Sequence, residues 1–219
     1  MIKDLIIEYL RIKKQKSVCE IVKDMLKKDI KTIIDVGANK GEFSKAALNV
    51  FEQAKVYSFE PIPSLFKDYL LKINNERLKC FMFALSNKNS VSKFNYNLDR
   101  KRQSSLLTPS NFNEFKIKKV KIETKRFDSL NLEIKRPCFL KIDVEGAEML
   151  VLNGFEKNLK NIDVLQLEIN FSENFNGQAK TSELIKFLEK YNFKRFIQKN
   201  IIYGGENKLP KSCDLIFFR

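Results

Sequence analysis

The strongest constraint in this chain is an alternation. Short apolar runs that read as buried strands are separated by stretches with helical spacing. "TIIDVG" (32–37) precedes helical "GEFSKAALNVF" (41–51), and "KVYSFEP" (55–61) precedes helical "PSLFKDYLLKIN" (63–74). "LKCFMFAL" (78–85) reads as a third strand. "CFLKIDV" (138–144) and "VLQLEIN" (164–170) are separated by helical "GAEMLVLNGFEKNL" (146–159), and "TSELIKFLEKY" (181–191) is helical again. Runs that are apolar on both faces need cover on both faces. That predicts an α/β fold with a mostly parallel sheet flanked by helices. "FKRFIQ" (193–198) and "CDLIFFR" (213–219) read as two short closing strands in an antiparallel edge hairpin. Residues 90–126 break the alternation, and predict an extra strand pair inserted around a polar loop.

Two amphipathic helices are expected ahead of this pattern. Ile2, Leu5, Ile6, Tyr9 and Leu10 share one face, and Val18, Ile21, Val22, Met25 and Leu26 share another. Such stripes are more often core than anything else. A basic amphipathic helix also suits peripheral contact with a membrane surface.

Composition sets the exclusions. The chain has no histidine, which rules out a Ser-His-Asp triad, a Cys-His pair and a His-ligated metal. Cys19, Cys80, Cys138 and Cys213 are far apart and form no CxxC, so reduced thiols are expected. Lys and Arg number 41 against 27 acids, a net charge of +14. The basic residues are dispersed, which fits a solvated surface better than a nucleic-acid patch. No apolar run reaches the length of a membrane span, and "MIKDLIIEYLRIKK" is not a signal-peptide pattern; a cytoplasmic protein is expected.

Three segments carry the chemistry. "IIDVGANKGEFSKAAL" (33–48) is a strand, a loop with glycines at 37 and 41, and a helix. Glycines permit close backbone approach to a ligand, and the helix start presents free N–H groups. Asp35 in the strand suits a cationic ligand group better than a diphosphate. Glu60 ends the next strand, 23 residues after Gly37, near the spacing at which an acid grips ribose hydroxyls. The third segment is "LKIDVEGAE" (140–148), where a buried strand runs into Asp143, Glu145 and Glu148. Acids at a helix start are often only caps or dipole partners. That does not explain Lys141 inside the strand, nor Glu168 and Asn170 on one face of the next strand. Together these side chains would meet in one cleft able to bind a cation, activate a hydroxyl or hold a hard metal.

In this order and spacing, "DVGANKGEFS", "FEP", "ALSN" (84–87), "SSL" (104–106), "FDSL" (127–130) and "LKIDVEGAE" resemble the FkbM-type methyltransferases. The resemblance runs from about Thr32 to Arg219. It implies a class I S-adenosylmethionine-dependent enzyme with a seven-stranded Rossmann-like sheet. The length of 219 residues fits a single domain over 1–219, with a helical extension at 1–29 and the core at 31–219. The activity it implies is O-methylation of a sugar, glycan or secondary metabolite.

Carried onto this chain, the resemblance puts Asp35 and Asp143 at the cationic end of S-adenosylmethionine. Gly37, Ala38, Asn39 and Gly41 take the methionine portion, and Glu60 the ribose. Ala84, Leu85 and Ser86 border the adenine, with Phe43 and Pro61 alongside. Ser104, Ser105, Glu148 and Asn170 fall on the acceptor side.

The acceptor proton must leave. Without histidine, the base is a carboxylate, Lys141 or a metal-bound group. Asp143 and Glu145 are favoured, with Glu168 as the alternative. Asp143, Glu168 and Asn170 offer the oxygen ligands Mg²⁺ prefers, though no metal is expected. Two rival functions remain. One is an NAD-dependent oxidoreductase, disfavoured by the missing G-x-G-x-x-G. The other is an RNA methyltransferase or nucleic-acid-binding protein, suggested by the charge and by "DRKRQ" and "KIKKVKIETKR".

Overall fold

The computed structural model describes residues 2–110, 116–204 and 208–219, with side chains from residue 6 onward. The chain opens with α1 (Ile2–Leu26), β1 (Thr32–Val36), α2 (Glu42–Val50), β2 (Lys55–Phe59), α3 (Pro63–Asp68) and β3 (Leu78–Phe81). Next come β4 (Ala84–Leu85), β5 (Ser90–Asn97) and β6 (Ile117–Lys125), then β7 (Cys138–Ile142) and α4 (Glu148–Gly154). β8 (Val164–Asn170), α5 (Thr181–Glu189), β9 (Arg195–Gly204) and β10 (Leu209–Phe218) complete it.

Seven strands form the main sheet in the order β3-β2-β1-β7-β8-β10-β9. β1 pairs in parallel with both β2 and β7, and β7 in parallel with β8. β10 runs antiparallel between β8 and β9. The chain walks outward from β1 in one direction and later from β7 in the other. Open α/β sheets bind ligands at such a reversal, beyond the carboxyl ends of the strands.

Alternate residues of the central strands serve opposite faces. Ile34, Val36, Leu140 and Ile142 pack under α4 and α5 with Val151, Leu184 and Leu188. Ile33, Phe139 and Val164 pack under α1 and α2 with Val18, Val22 and Ala46. This two-sided burial is why the strands read as continuous apolar runs. The four cysteines are free thiols, and all but Cys80 are buried. Among the described residues, no helix is long and apolar enough to cross a membrane.

Several local expectations change. α1 is one continuous helix, not two. Its second half is anchored by Val18, Cys19 and Val22, while Met25 is exposed. Ile6, Tyr9 and Leu10 are also exposed, so the first stripe is not core; Ile2 and Leu5 lie outside the described side chains. Two fully buried valines contribute roughly 3–6 kcal/mol of transfer free energy, enough to hold the helix from that half alone.

"LKCFMFAL" breaks into two strands in different sheets. Phe81 and Phe83 both pack on Phe59, at 4.9 and 5.6 Å between ring centroids, while β4 leaves to pair with β6. The insertion is therefore a three-stranded sheet, β4-β6-β5. The closing hairpin is longer than expected, because "NIIYG" and "LPKS" belong to β9 and β10.

Candidate active site

The loop after β1 is shaped by the protein itself. Gly37 has φ +77°, and a Cβ there would lie 1.9 Å from the carbonyl oxygen of Asp143. The glycine lets the ends of β1 and β7 meet, and it also lines the cleft. Gly37 and Ala38 donate their N–H groups to the Phe59 carbonyl at 3.1 and 3.0 Å, tying the loop to β2. Glu60 completes the tie. Its Oε2 accepts from Asn39 N and its Oε1 from Ile62 N, both at 2.8 Å. Each oxygen keeps a lone pair for a further donor. Burial pushes this carboxyl up to about 7, against the pull of the Ile62 and Asn39 amides.

A polar row crosses the sheet below the loop. Strand register sets Asp35 between Ser58 and Lys141. The Lys141 ammonium lies 3.2 Å from Asp35 Oδ1 and 3.3 Å from Asp143 Oδ2, and donates to the Gly37 carbonyl at 3.0 Å. Ser44 Oγ donates to Asp35 Oδ2 at 2.6 Å. Asp35 is completely buried and does not line the cleft, so it supports Lys141 and does not face a ligand. Burial opposes the Lys141 charge, but Asp35 and Asp143 outweigh it and hold the ammonium above the ordinary lysine value. Lys141 is thus a poor proton acceptor near neutrality, contrary to its place among the candidate bases.

The "DVEGAE" turn concentrates carboxylates. Glu145 has φ +55° and Gly146 φ +89°. Glu148 Oε1 accepts from Val144 N at 3.3 Å and Gly146 N at 3.1 Å, which locks this left-handed turn. Glu148 is buried, stands off the cleft and has a structural task, not a substrate-side one. Burial pushes it up to about 7. The turn directs Glu145 toward Asp143 and Glu168, whose oxygens lie within 4.8 Å of one another with that of Glu145. Burial, then neighbouring carboxylates, raise Glu145 and Glu168 well above the ordinary range. Any hard cation would be held by this trio. Asn170, expected in a metal set, instead accepts from Asn174 Nδ2 at 3.1 Å.

All of this surrounds a cleft of about 780 Å³. Gly37, Ala38, Asn39, Phe43, Glu60 and Pro61 line one side, with Ala84 and Leu85. Lys141, Asp143, Glu145, Glu168 and Asn170 form the strand-end floor, and Ser104 lies on the opposite wall. Gly41, Ser86 and Ser105 do not line it. Gly41 is the N-cap of α2, Ser86 N donates to the Lys125 carbonyl, and Ser105 Oγ accepts from Leu107 N.

Sequence reasoning missed the helix and loop that close the cleft. Arg11, Lys14 and Gln15 of α1 line it, as do Asn97, Lys101, Arg102, Phe175 and Asp214. Glu8, Arg11 and Gln15 form an i, i+3, i+7 polar stripe, legible in the sequence as a stripe. Its target was not legible, because only the packing of α1 on α2 aims it. Glu8 pairs with Lys45 at 2.6 Å, and Arg11 lies 3.9 Å from Glu42.

The model of the FkbM methyltransferase domain matches residues 35–195. The chain belongs to this family. The oxidoreductase alternative gives way to it. Among curated relatives, Methyltransferase 1 of Beauveria bassiana (strain ARSEF 2860) is 25% identical over 170 residues, 68% of each protein. The 2-O-methyltransferase NoeI of Sinorhizobium fredii (strain NBRC 101917 / NGR234) is 24% identical over 181 residues, 76% of this chain and 74% of that protein.

Solved structures agree on the fold. The plantazolicin methyltransferase BpumL, in complex with S-adenosylhomocysteine, matches with a TM-score of 0.54 at 9% identity, over 97% of this chain and 85% of that one. Magnesium protoporphyrin IX methyltransferase (ChlM) from Synechocystis PCC 6803, with bound S-adenosylmethionine, matches at 0.51 and 11% identity, over 99% and 82%. The sheet of this FkbM methyltransferase is that of class I S-adenosylmethionine-dependent methyltransferases.

Proposed function

We propose that the protein uses S-adenosylmethionine to methylate a hydroxyl on a polar, polyhydroxylated acceptor such as a sugar or glycan. The observation that carries this reading is the wall facing the cofactor side. Gln15, Asn97, Gln103, Ser104 and Ser212 line it, interleaved with Phe94, Leu106, Phe175 and Ile202. Amides and hydroxyls recognise hydroxyl groups, and the apolar groups between them suit a sugar's C–H surface. The 2-O-methyltransferase among the relatives supports the reaction type.

The donor half fits the cofactor by its chemistry. Buried Glu60 has acceptor capacity left for two ribose hydroxyls, and Asp143 offers a carboxylate to a cationic end. The bound cofactor supplies an activated methyl group on a sulfonium. The protein's own residues position the acceptor and remove its proton. Glu145 and Glu168 are suited to the second task, because both reach the cleft floor beside Asp143, and burial and crowding raise their proton affinity. Lys141 keeps its proton and fixes Asp143.

The test is calorimetric titration with S-adenosylhomocysteine, followed by methyl transfer from labelled S-adenosylmethionine to a panel of glycans and apolar phenols. Binding with label on glycan hydroxyls is expected. No binding would end the cofactor assignment, and label only on phenols would end the acceptor assignment.

A further inference from the structure

Resting on that reading, we infer that the acceptor carries a phosphate group, held by the 97–103 turn and the facing stretch of α1. The argument begins at Asn97, which is fully buried yet lines the cleft. Its Oδ1 accepts from Asp99 N at 3.1 Å and Arg100 N at 2.8 Å, and its own N–H donates to Ser104 Oγ at 3.0 Å. Those bonds fix which end of the amide is which. The Nδ2 group is left with no acceptor among the described residues. A buried donor without a partner is costly, so a ligand oxygen is the natural complement.

The charges nearby point the same way. Arg102 is in direct contact with buried Glu42, and Arg11 reaches the same carboxylate at 3.9 Å. One carboxylate cannot neutralise two guanidiniums. Burial and the Arg102 charge both hold Arg11 below the ordinary arginine value. Lys101 also lines the cleft and is in no ion pair among the described residues, whereas Lys14 faces Asp214. Arg102 faces Glu145 as well, so the excess cations are Arg11 and Lys101. Several donors spread over one wall suit the three oxygens of a phosphate better than a single planar carboxylate. This also accounts for "DRKRQ" without invoking nucleic acid.

The probes are inorganic pyrophosphate, glucose 1-phosphate and glucuronate, titrated into the full chain with and without saturating S-adenosylhomocysteine. Both phosphates should bind, glucuronate at least about tenfold more weakly. Lys101→Gln and Arg11→Gln should each weaken phosphate binding about tenfold, with S-adenosylhomocysteine affinity held within about twofold. Lys118→Gln/Lys121→Gln, both exposed on β6, should leave it unchanged. Equal binding of glucuronate, or an equal loss in the β6 variant, would overturn the phosphate assignment. So would silence from both phosphates while S-adenosylhomocysteine binds, leaving the methyltransferase reading intact. Phosphate binding that depends on Lys101 and Arg11, without S-adenosylhomocysteine binding, would instead sustain this subsite and sink the cofactor reading.

Discussion

The two sides of the cleft are built to different standards. On the β1–β2 side the polar groups are already engaged. Glu60 takes two backbone amides, and Asp35 takes Ser44 and Lys141. On the facing side, Asn97 Nδ2, Gln15 Oε1, Gln103 Oε1 and Asn170 Nδ2 are buried with no partner among the described residues. The first side is largely engaged before a ligand arrives, Asp35 Oδ1 being held by its ion pair with Lys141. The second leaves hydrogen bonds to be made by whatever enters. A preorganised half suits a ligand common to many enzymes, and an unfinished half suits the ligand particular to this one.

The largest test of that division is chemical. Glu145→Gln and Glu168→Gln should lower kcat by about 10²–10⁴-fold where the residue is the base, with S-adenosylhomocysteine binding nearly intact. Loss of S-adenosylhomocysteine binding instead would dissolve the boundary between the halves. Next comes the support beneath the finished side. Lys141→Met leaves Asp35 buried and uncompensated, and should cost about 3–5 kcal/mol in a urea melt. Adding Asp35→Asn should recover much of that loss; no recovery would mean that Lys141 acts mainly through Asp143.

Gly37→Ala should destabilise the protein by about 2–4 kcal/mol, because the new Cβ meets the Asp143 carbonyl in a left-handed backbone. A neutral result would show that the β1 and β7 ends separate easily. Glu60→Gln is milder, weakening S-adenosylhomocysteine binding about tenfold.

Glu60 also sets a pH dependence. It binds its proton more tightly folded than unfolded, so the stability it contributes is full below its ordinary value of 4.5 and is lost as pH rises through about 7. Glu148 follows the same course. Glu60→Gln should therefore flatten the fall of Tm across that interval, and cofactor affinity in the parent should rise with pH as the carboxylate forms. A parallel Tm profile for parent and variant would contradict the burial of that charge. The smallest effect belongs to chelation. With the Lys141 ammonium at 3.3 Å from Asp143, EDTA should change turnover by less than about twofold; abolished turnover restored by Mg²⁺ would make Asp143, Glu145 and Glu168 metal ligands.

Much of this architecture was legible from local pattern. The central strands, α2, α5 and the strand character of the 90–126 insertion are read from period and turn residues. Glu60 and the carboxylates after β7 are read from their positions at strand ends. The misreadings share one cause. Asp35 and Glu148 carry the right chemistry in the right segments, but the protein's own groups occupy them. Ile6, Tyr9 and Leu10 have a core-like spacing and no core to meet.

The amino-acid order by itself determined which segments are strands and helices, and that acids gather where the strands end. Periodicity and glycine conformation act over a few residues, so they are written locally. Only the tertiary structure decided which acids are neutralised and which remain available. Lys141 reaches Asp35 through the register of β7 against β1. Arg11 and Arg102 share Glu42 because α1 packs on α2 and the insertion brings residue 102 to the start of α2. Such pairings join residues dozens to a hundred positions apart, and their energy depends on burial that no single segment has until the sheet is assembled.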